Sequence, residues 1–299
     1  MVFPINSMKI QPECIPCLLK RVLFETELST STKKVQTNAV RTACKILAET
    51  YDPTTCSTSV ATKVHKSVYN SLHNKDPYRK LKQSSNKVAQ SLVQKTEALI
   101  STSKDPLKTS LICSIIGNIM DFGIEGSSSH PRLLEEVFDK LYTEGLGYDD
   151  YHKLKAFLRK STHLMLFTDN CGEIVFDKIL CRELKKFNPL VRITAVVKGE
   201  PVLNDATLQD AKEIALSDVV DEVFTTGCFA VGVDFSNLPR KVQQQLDATD
   251  LILAKGMANY ESFSETLYAP VAYLLRTKCR AIANDMNLPL NISAIKVYE

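Results

Sequence analysis

Between His163 and Arg276 the chain repeats one form, a short apolar run that closes on glycine or polar residues, with amphipathic stretches between the runs. HLMLFTDN (163–170), VRITAVVKG (191–199), EVFTTG (222–227) and LILAKG (251–256) all have it, and VAYLLR (271–276) is a further apolar run. Helical spacing covers 172–187 and 206–216. Short apolar strands alternating with amphipathic helices predict a parallel sheet with helices on both faces, so the fold class is α/β.

The first half has another rhythm. From Lys33 to Tyr51, the residues Val35, Ala39, Val40, Ala43, Ile46 and Leu47 recur at helical spacing. Similar patterns cover 60–72, 80–100, 107–119 and 133–141, and most breaks carry Pro, Gly or Ser. GIEGSSSHP (123–131) and EGLGYDD (144–150) read as loops. The predicted organisation is a helical domain over 1–155 and an α/β domain over 156–299. No fixed-period repeat or low-complexity tract is present.

Lys plus Arg number 37 and Asp plus Glu 34, a net charge of +3, too small for the basic face of a nucleic-acid platform. No apolar run approaches 18 residues, so no membrane span is expected. The N-terminus lacks a charged segment followed by an apolar one, and nine scattered cysteines read as reduced thiols, so a cytoplasmic location is expected.

In open α/β sheets, ligands bind beyond the carboxyl ends of the strands. Here those ends carry Asp169 and Asn170, then Asp205 after KGEPVLND, then Thr225, Thr226 and Gly227, then Lys255 and Gly256. Two carboxylates and an amide oxygen make a partial shell for a hard divalent ion such as Mg²⁺, which leaves room for waters and a substrate phosphate. Such an ion polarises a phosphoryl oxygen and makes a bound water nucleophilic. Lys255 would balance phosphoryl charge, and Gly172 and Gly227 would let backbone N–H groups approach an anion. The competing reading is local: Asp169, Asn170 and Asp205 each precede a helix and could simply cap it.

Other features stay open. Cys14 and Cys17 form a C-x-x-C, half of a zinc site or a redox pair, or else unremarkable buried or loop thiols. Asn118 and Asp121 stand one helical turn apart in an apolar stretch and need partners, either a buried network, a helix-end cap or a site. The five histidines form no H-x-x-x-H or triad-like pattern, and no G-x-S-x-G, G-x-G-x-x-G or P-loop is present.

The strings PECIPCLLKR (12–21), GNIMDFG (117–123), TDNCGEIVFD (168–177), KGEPVLNDAT (198–207), TTG (225–227) and LILAKGMANYE (251–261) together resemble the damage-control phosphatase family, long known as domain of unknown function 89. The resemblance spans nearly the whole chain, and the C-x-x-C opening looks like the family's stand-alone microbial branch. It implies a helical N-terminal region on a Rossmann-like three-layer α/β/α domain. It implies a divalent cation (Mn²⁺, Mg²⁺, Co²⁺ or Ni²⁺) on Asp169, Asn170 and Asp205. It also implies hydrolysis of sugar phosphates, nucleotides or damaged phospho-metabolites. Lys255, Gly256 and Asn259 are then expected at the phosphate, with Gly172, Glu173 and Gly227 near the substrate and Asn118 and Asp121 facing the site from the helical domain. Cys171 stands where the family often has Ala, a small residue for a tight turn.

Three other readings compete. In a haloacid-dehalogenase-like phosphatase Asp169 would be a covalent nucleophile, but the usual second Asp is replaced by Cys171. An S-adenosylmethionine-dependent carboxyl methyltransferase, also suggested by the wider family, would need a glycine-rich loop that is missing after the first strand. A non-enzymatic zinc-binding interaction protein would be organised by Cys14 and Cys17.

Overall fold

A computed structural model of the chain describes residues 8–123 and 130–299. Most of the loop expected over 123–131 lies outside the described residues, as do the first seven positions. The helices are α1 (Cys14–Ser29), α2 (Lys33–Thr50), α3 (Ser57–Leu72), α4 (Arg79–Ser91), α5 (Val93–Thr102), α6 (Pro106–Gly117), α7 (Leu133–Glu144), α8 (Tyr151–Lys160), α9 (Glu173–Phe187), α10 (Leu208–Glu213), α11 (Arg240–Asp247), α12 (Gly256–Phe263) and α13 (Arg280–Asp285). The strands are β1 (Tyr148–Asp149), β2 (His163–Phe167), β3 (Arg192–Val197), β4 (Glu222–Thr225), β5 (Leu251–Lys255), β6 (Val271–Arg276) and β7 (Ser293–Tyr298).

The strands form one sheet in the order β1-β7-β6-β5-β2-β3-β4. Strands β2 to β6 pair in parallel, as their apolar runs predict. The sheet is nevertheless mixed, a correction to the all-parallel expectation: β7 runs antiparallel to β6, reached through the short helix α13. Strand order reverses at β2, which has β3 on one side and β5 on the other. The ends of β2 and β5 therefore flank a crevice, the place where such sheets bind ligands.

Residues of each strand alternate between two layers. Leu164 and Leu166 pack with Ile193, Leu253 and the α9 residues Ile174 and Leu180. Met165 and Phe167 pack with Ile252 and with Val242, Tyr260, Phe263 and Ile282 of α11, α12 and α13. This is the three-layer α/β/α arrangement.

Helices α1, α2 and α3 share a core of their own through Val22, Ala43, Leu47, Val64 and Val68. A further cluster, with Tyr69, Phe122, Val202, Leu203 and Val231, joins α3 to the loops beyond β3 and β4. The boundary expected at residue 155 runs through shared structure. Strand β1 pairs with β7, and α6 lies along α9, with Leu111, Ile115 and Ile116 in the same core as Leu164 and Ile193.

Candidate active site

Asp169 and Asp205 are 36 positions apart in the chain and meet through the backbone. Cys171 N–H donates to Asn204 O at 2.8 Å, and Ala206 N–H donates to Asp169 O at 2.8 Å. These bonds close an antiparallel bridge between Asn170 and Asp205. Asn204 Nδ2 then donates to Met120 O at 2.5 Å, which ties the turn after α6 to the same point. None of the three predicted ligands caps a helix. Gly172 occupies the N-cap of α9, and Thr207 that of α10, with its N–H and hydroxyl donating to Asp210 at 2.9 and 2.6 Å. The capping alternative is set aside.

The side chains leave a defined set of free oxygens. Asn118 Nδ2 and Asn170 Nδ2 donate to Asp169 Oδ2 at 3.0 and 2.7 Å, and both also reach Glu173 Oε2, at 2.9 and 3.0 Å. The amide donors of Asn170 are turned to carboxylates, which leaves its oxygen for a cation. Asp205 pairs with Lys198 at 3.2 Å through Oδ2. Asp169, Asn170 and Asp205 line one cavity of about 140 Å³ together with Asp121, Arg21, His65, Glu261, Cys14, Cys17 and Cys279.

Charge is unevenly compensated. Asp121 is held below the usual carboxylate range despite burial, because Arg21 (2.8 Å) and Lys278 (3.1 Å) flank it. Glu173 and Asp177 each lie 2.8 Å from the fully buried Lys255. Burial raises Asp205 in spite of Lys198. Burial, then Asp205 and Glu173, push Asp169 well above its ordinary value, and among the described residues no cationic side chain pairs with it. A buried carboxylate crowded by like charges is stabilised by a cation. The donor set, two carboxylates and an amide oxygen, fits a hard divalent ion.

The remaining predicted residues divide into those the structure brings to this point and those it does not. Asn118 is the C-cap of α6, which ends at Gly117, so Asn118 and Asp121 lie in the following turn and not on one helical face as expected; both still reach the site. Gly256 has φ +74°, and a Cβ there would overlap Asp169 Oδ2. Lys255 is turned away from the cavity, with Ser114, Asp177 and Glu173 as partners. Its expected contact with a phosphoryl group is not what this placement gives, because two buried carboxylates claim it. Glu173 is likewise internal, between Lys255 and the two asparagines. Asn259 Nδ2 donates to Thr168 O (3.0 Å) and Lys255 O (2.7 Å), and so braces the strand ends. The Gly172 N–H is spent on Asn86 Oδ1 at 2.6 Å, so it does not point at an anion. Gly227 does not line the cavity and packs against Pro239.

Arg21, Lys198 and Lys278 also reach the acidic cluster, and no spacing in the sequence marks any of the three. His65 and Glu25 are likewise unmarked, since they sit on separate helices. The C-x-x-C occupies the first turn of α1, all nine cysteines are free, and among the described residues no group of three or more His, Cys, Asp or Glu side chains is arranged to hold a metal. Among the described residues the two thiols thus have no third and fourth ligand arranged as a structural zinc site uses them.

The sheet reversal, with an acidic cluster at its carboxyl edge and a helical cap over it, defines an α/β protein with a cavity between cap and sheet. Residues 10–291 match the family model described as the damage-control phosphatase ARMT1-like domain, and the chain belongs to that family. A damage-control phosphatase of Archaeoglobus fulgidus is 36% identical over 98% of this chain and 100% of that protein. One of Pyrococcus horikoshii is 29% identical over 94% of this chain and 96% of its own. The crystal structure of a duf89 family protein from P. horikoshii superposes with a TM-score of 0.87 at 27% identity, covering 98% of this chain and 100% of that one.

Proposed function

We propose that the protein is a metal-dependent phosphatase that hydrolyses phosphomonoesters of small metabolites, among them sugar phosphates, nucleotides or damaged phospho-metabolites. The observation that carries the reading is the crowded Asp169 carboxylate, set beside Asn170 and Asp205 on one cavity and paired with no cationic side chain among the described residues. The damage-control phosphatase relatives support the reaction class. The size of the cavity supports a small substrate, since it lies below the span usual for drug-sized ligands.

In this reading Asp169, Asn170 and Asp205 hold a divalent cation (Mn²⁺, Mg²⁺, Co²⁺ or Ni²⁺), which supplies charge for the phosphoryl oxygens and an activated water. Asn118 and Asn170 fix the Asp169 carboxylate. Arg21 lines the cavity, meets Asp121 through Nη2 and has a buried Nε without a partner, so it is the cation placed to meet the substrate phosphate. Lys255 acts at one remove, by holding Glu173. Cys171, the position where a dehalogenase-type phosphatase carries its acid, is fully buried with its thiol pushed far up by burial, which disfavours that mechanism. The free cysteines fit a cytoplasmic location.

Asp169→Ala and Asp205→Ala test the reading. Each is expected to cut Mn²⁺-stimulated phosphate release from an aryl phosphate by about 10³-fold or more, the equivalent of several kcal/mol of lost transition-state stabilisation. Circular dichroism should show the fold retained. Unchanged turnover in either variant overturns the assignment.

A further inference from the structure

The second wall of the cavity comes from α1 and α3, and it contains two titratable side chains that the site described above does not use. His65 on α3 lines the cavity, and Glu25 on α1 lies behind it, with His65 Nδ1 2.7 Å from Glu25 Oε1. Both side chains are almost wholly buried, at 1% and 0% exposure. Among the described residues neither Glu25 oxygen accepts a hydrogen bond, so the 2.7 Å approach of the His65 ring is the close contact this carboxylate has. Burying a carboxylate with so little compensation is costly, so its one close partner matters. With Nδ1 turned to Glu25, Nε2 is the ring nitrogen left for a ligand in the cavity.

We propose that His65 is the general acid for the leaving group, with Glu25 as its positioning residue; this rests on the phosphatase reading. In an in-line displacement the attacking and leaving oxygens lie on opposite sides of phosphorus. With the attacking water on the Asp169–Asp205 side, the leaving oxygen is assigned to His65 of α3, which lines the same cavity. With Nδ1 set against Glu25, the ring offers the proton on Nε2 to the leaving oxygen. The water oxygen forms a bond to phosphorus and releases a proton to solvent. The bond from phosphorus to the leaving oxygen breaks, its electron pair stays on that oxygen, and the oxygen takes the Nε2 proton. The ring regains a proton from solvent.

This assignment makes a claim about substrate class. Alkyl esters such as sugar phosphates expel a strongly basic alkoxide and need the proton, whereas a nitrophenolate leaves without it. The test is kcat/KM for His65→Gln and for His65→Gln/Glu25→Gln, which removes both members and leaves no unpaired buried charge. Substrates are a series of phenyl phosphates of graded leaving-group acidity plus a sugar phosphate, all with Mn²⁺. The ratio of sugar-phosphate to nitrophenyl-phosphate kcat/KM is expected to fall by about 10²-fold or more, within the usual range for general acid catalysis, and the dependence on leaving-group acidity to steepen. Glu25→Gln, which keeps the ring and loosens it, is expected to lower the same ratio by less. An equal loss on every ester, or no loss on any, overturns the His65 assignment and leaves the phosphatase reading standing. A wild-type protein that releases no phosphate from any ester overturns both.

Discussion

At Gly256 a single backbone position holds the site together. Its φ of +74° lies where glycine alone is at ease, and a side chain there would meet Asp169 Oδ2 first and Asn118 Nδ2 next. Gly256→Ala should therefore do two separable things. The left-handed backbone costs about 1–2 kcal/mol of stability. The displaced Asp169 carboxylate loses its register with Asn170 and Asp205, and misplacement of about 1 Å at a reacting centre costs on the order of 10²-fold in rate. The expected result is a modest drop in melting temperature with a fall of at least that size in metal-stimulated phosphate release; a variant with wild-type turnover would show that Gly256 does not set the carboxylate. The meeting of Asp169, Asn170 and Asp205 was readable in the sequence because the first two close one apolar run and Asp205 lies in the loop that follows the next, both at the carboxyl edge of the sheet. His65 and Glu25 were not legible, because no spacing links two side chains on helices 40 residues apart that touch only in the fold.

Helices and strands were readable in proportion to how much of their own pattern they carry. Strands β2, β3, β5 and β6 are continuous apolar runs because both of their faces are covered. Strand β1 is two residues long, and β7 includes Lys296 among its apolar residues, so neither announced itself. The break between α4 and α5 at Leu92 has no proline or glycine to mark it. What joins α6 to α9 is also invisible one segment at a time: Lys255 at the end of β5 enters between them to meet Ser114, Glu173 and Asp177. Burial lowers the Lys255 ammonium but the two carboxylates outweigh it, so the lysine stays charged. Lys255→Met would leave Glu173 and Asp177 buried without a cation, a change that costs about 3–5 kcal/mol. Chemical denaturation should show the midpoint falling accordingly with an unchanged slope. A loss under about 1 kcal/mol would mean that water enters and screens the pair, and Lys255 would then be free to serve the substrate directly.

Across the whole molecule, the change of rhythm near residue 150 separates two styles of sequence more sharply than it separates two bodies. The hydrophobic residues of helix α6 sit in one core with β2, β3 and α9. Gly117 lets it come so close that a Cβ would lie 2.9 Å from Glu173 Cα and from the Phe176 ring. Asn118 follows directly and reaches Asp169, so the same contact that fills the core also orients the site. A fragment of residues 156–299 would lose this helix, α7 and β1, leaving exposed the α9 residue Phe176, which packs against Gly117 and Phe138, at roughly 25 cal/mol for each Å² of apolar surface returned to water. Such a fragment is expected to aggregate or to lack a cooperative thermal transition, and to become soluble and folded only when residues 1–155 are expressed beside it. Size-exclusion chromatography and a melting curve decide the matter. A monomeric 156–299 fragment with a sharp transition would make the two parts independent domains, with the active site assembled by docking and not by a shared core.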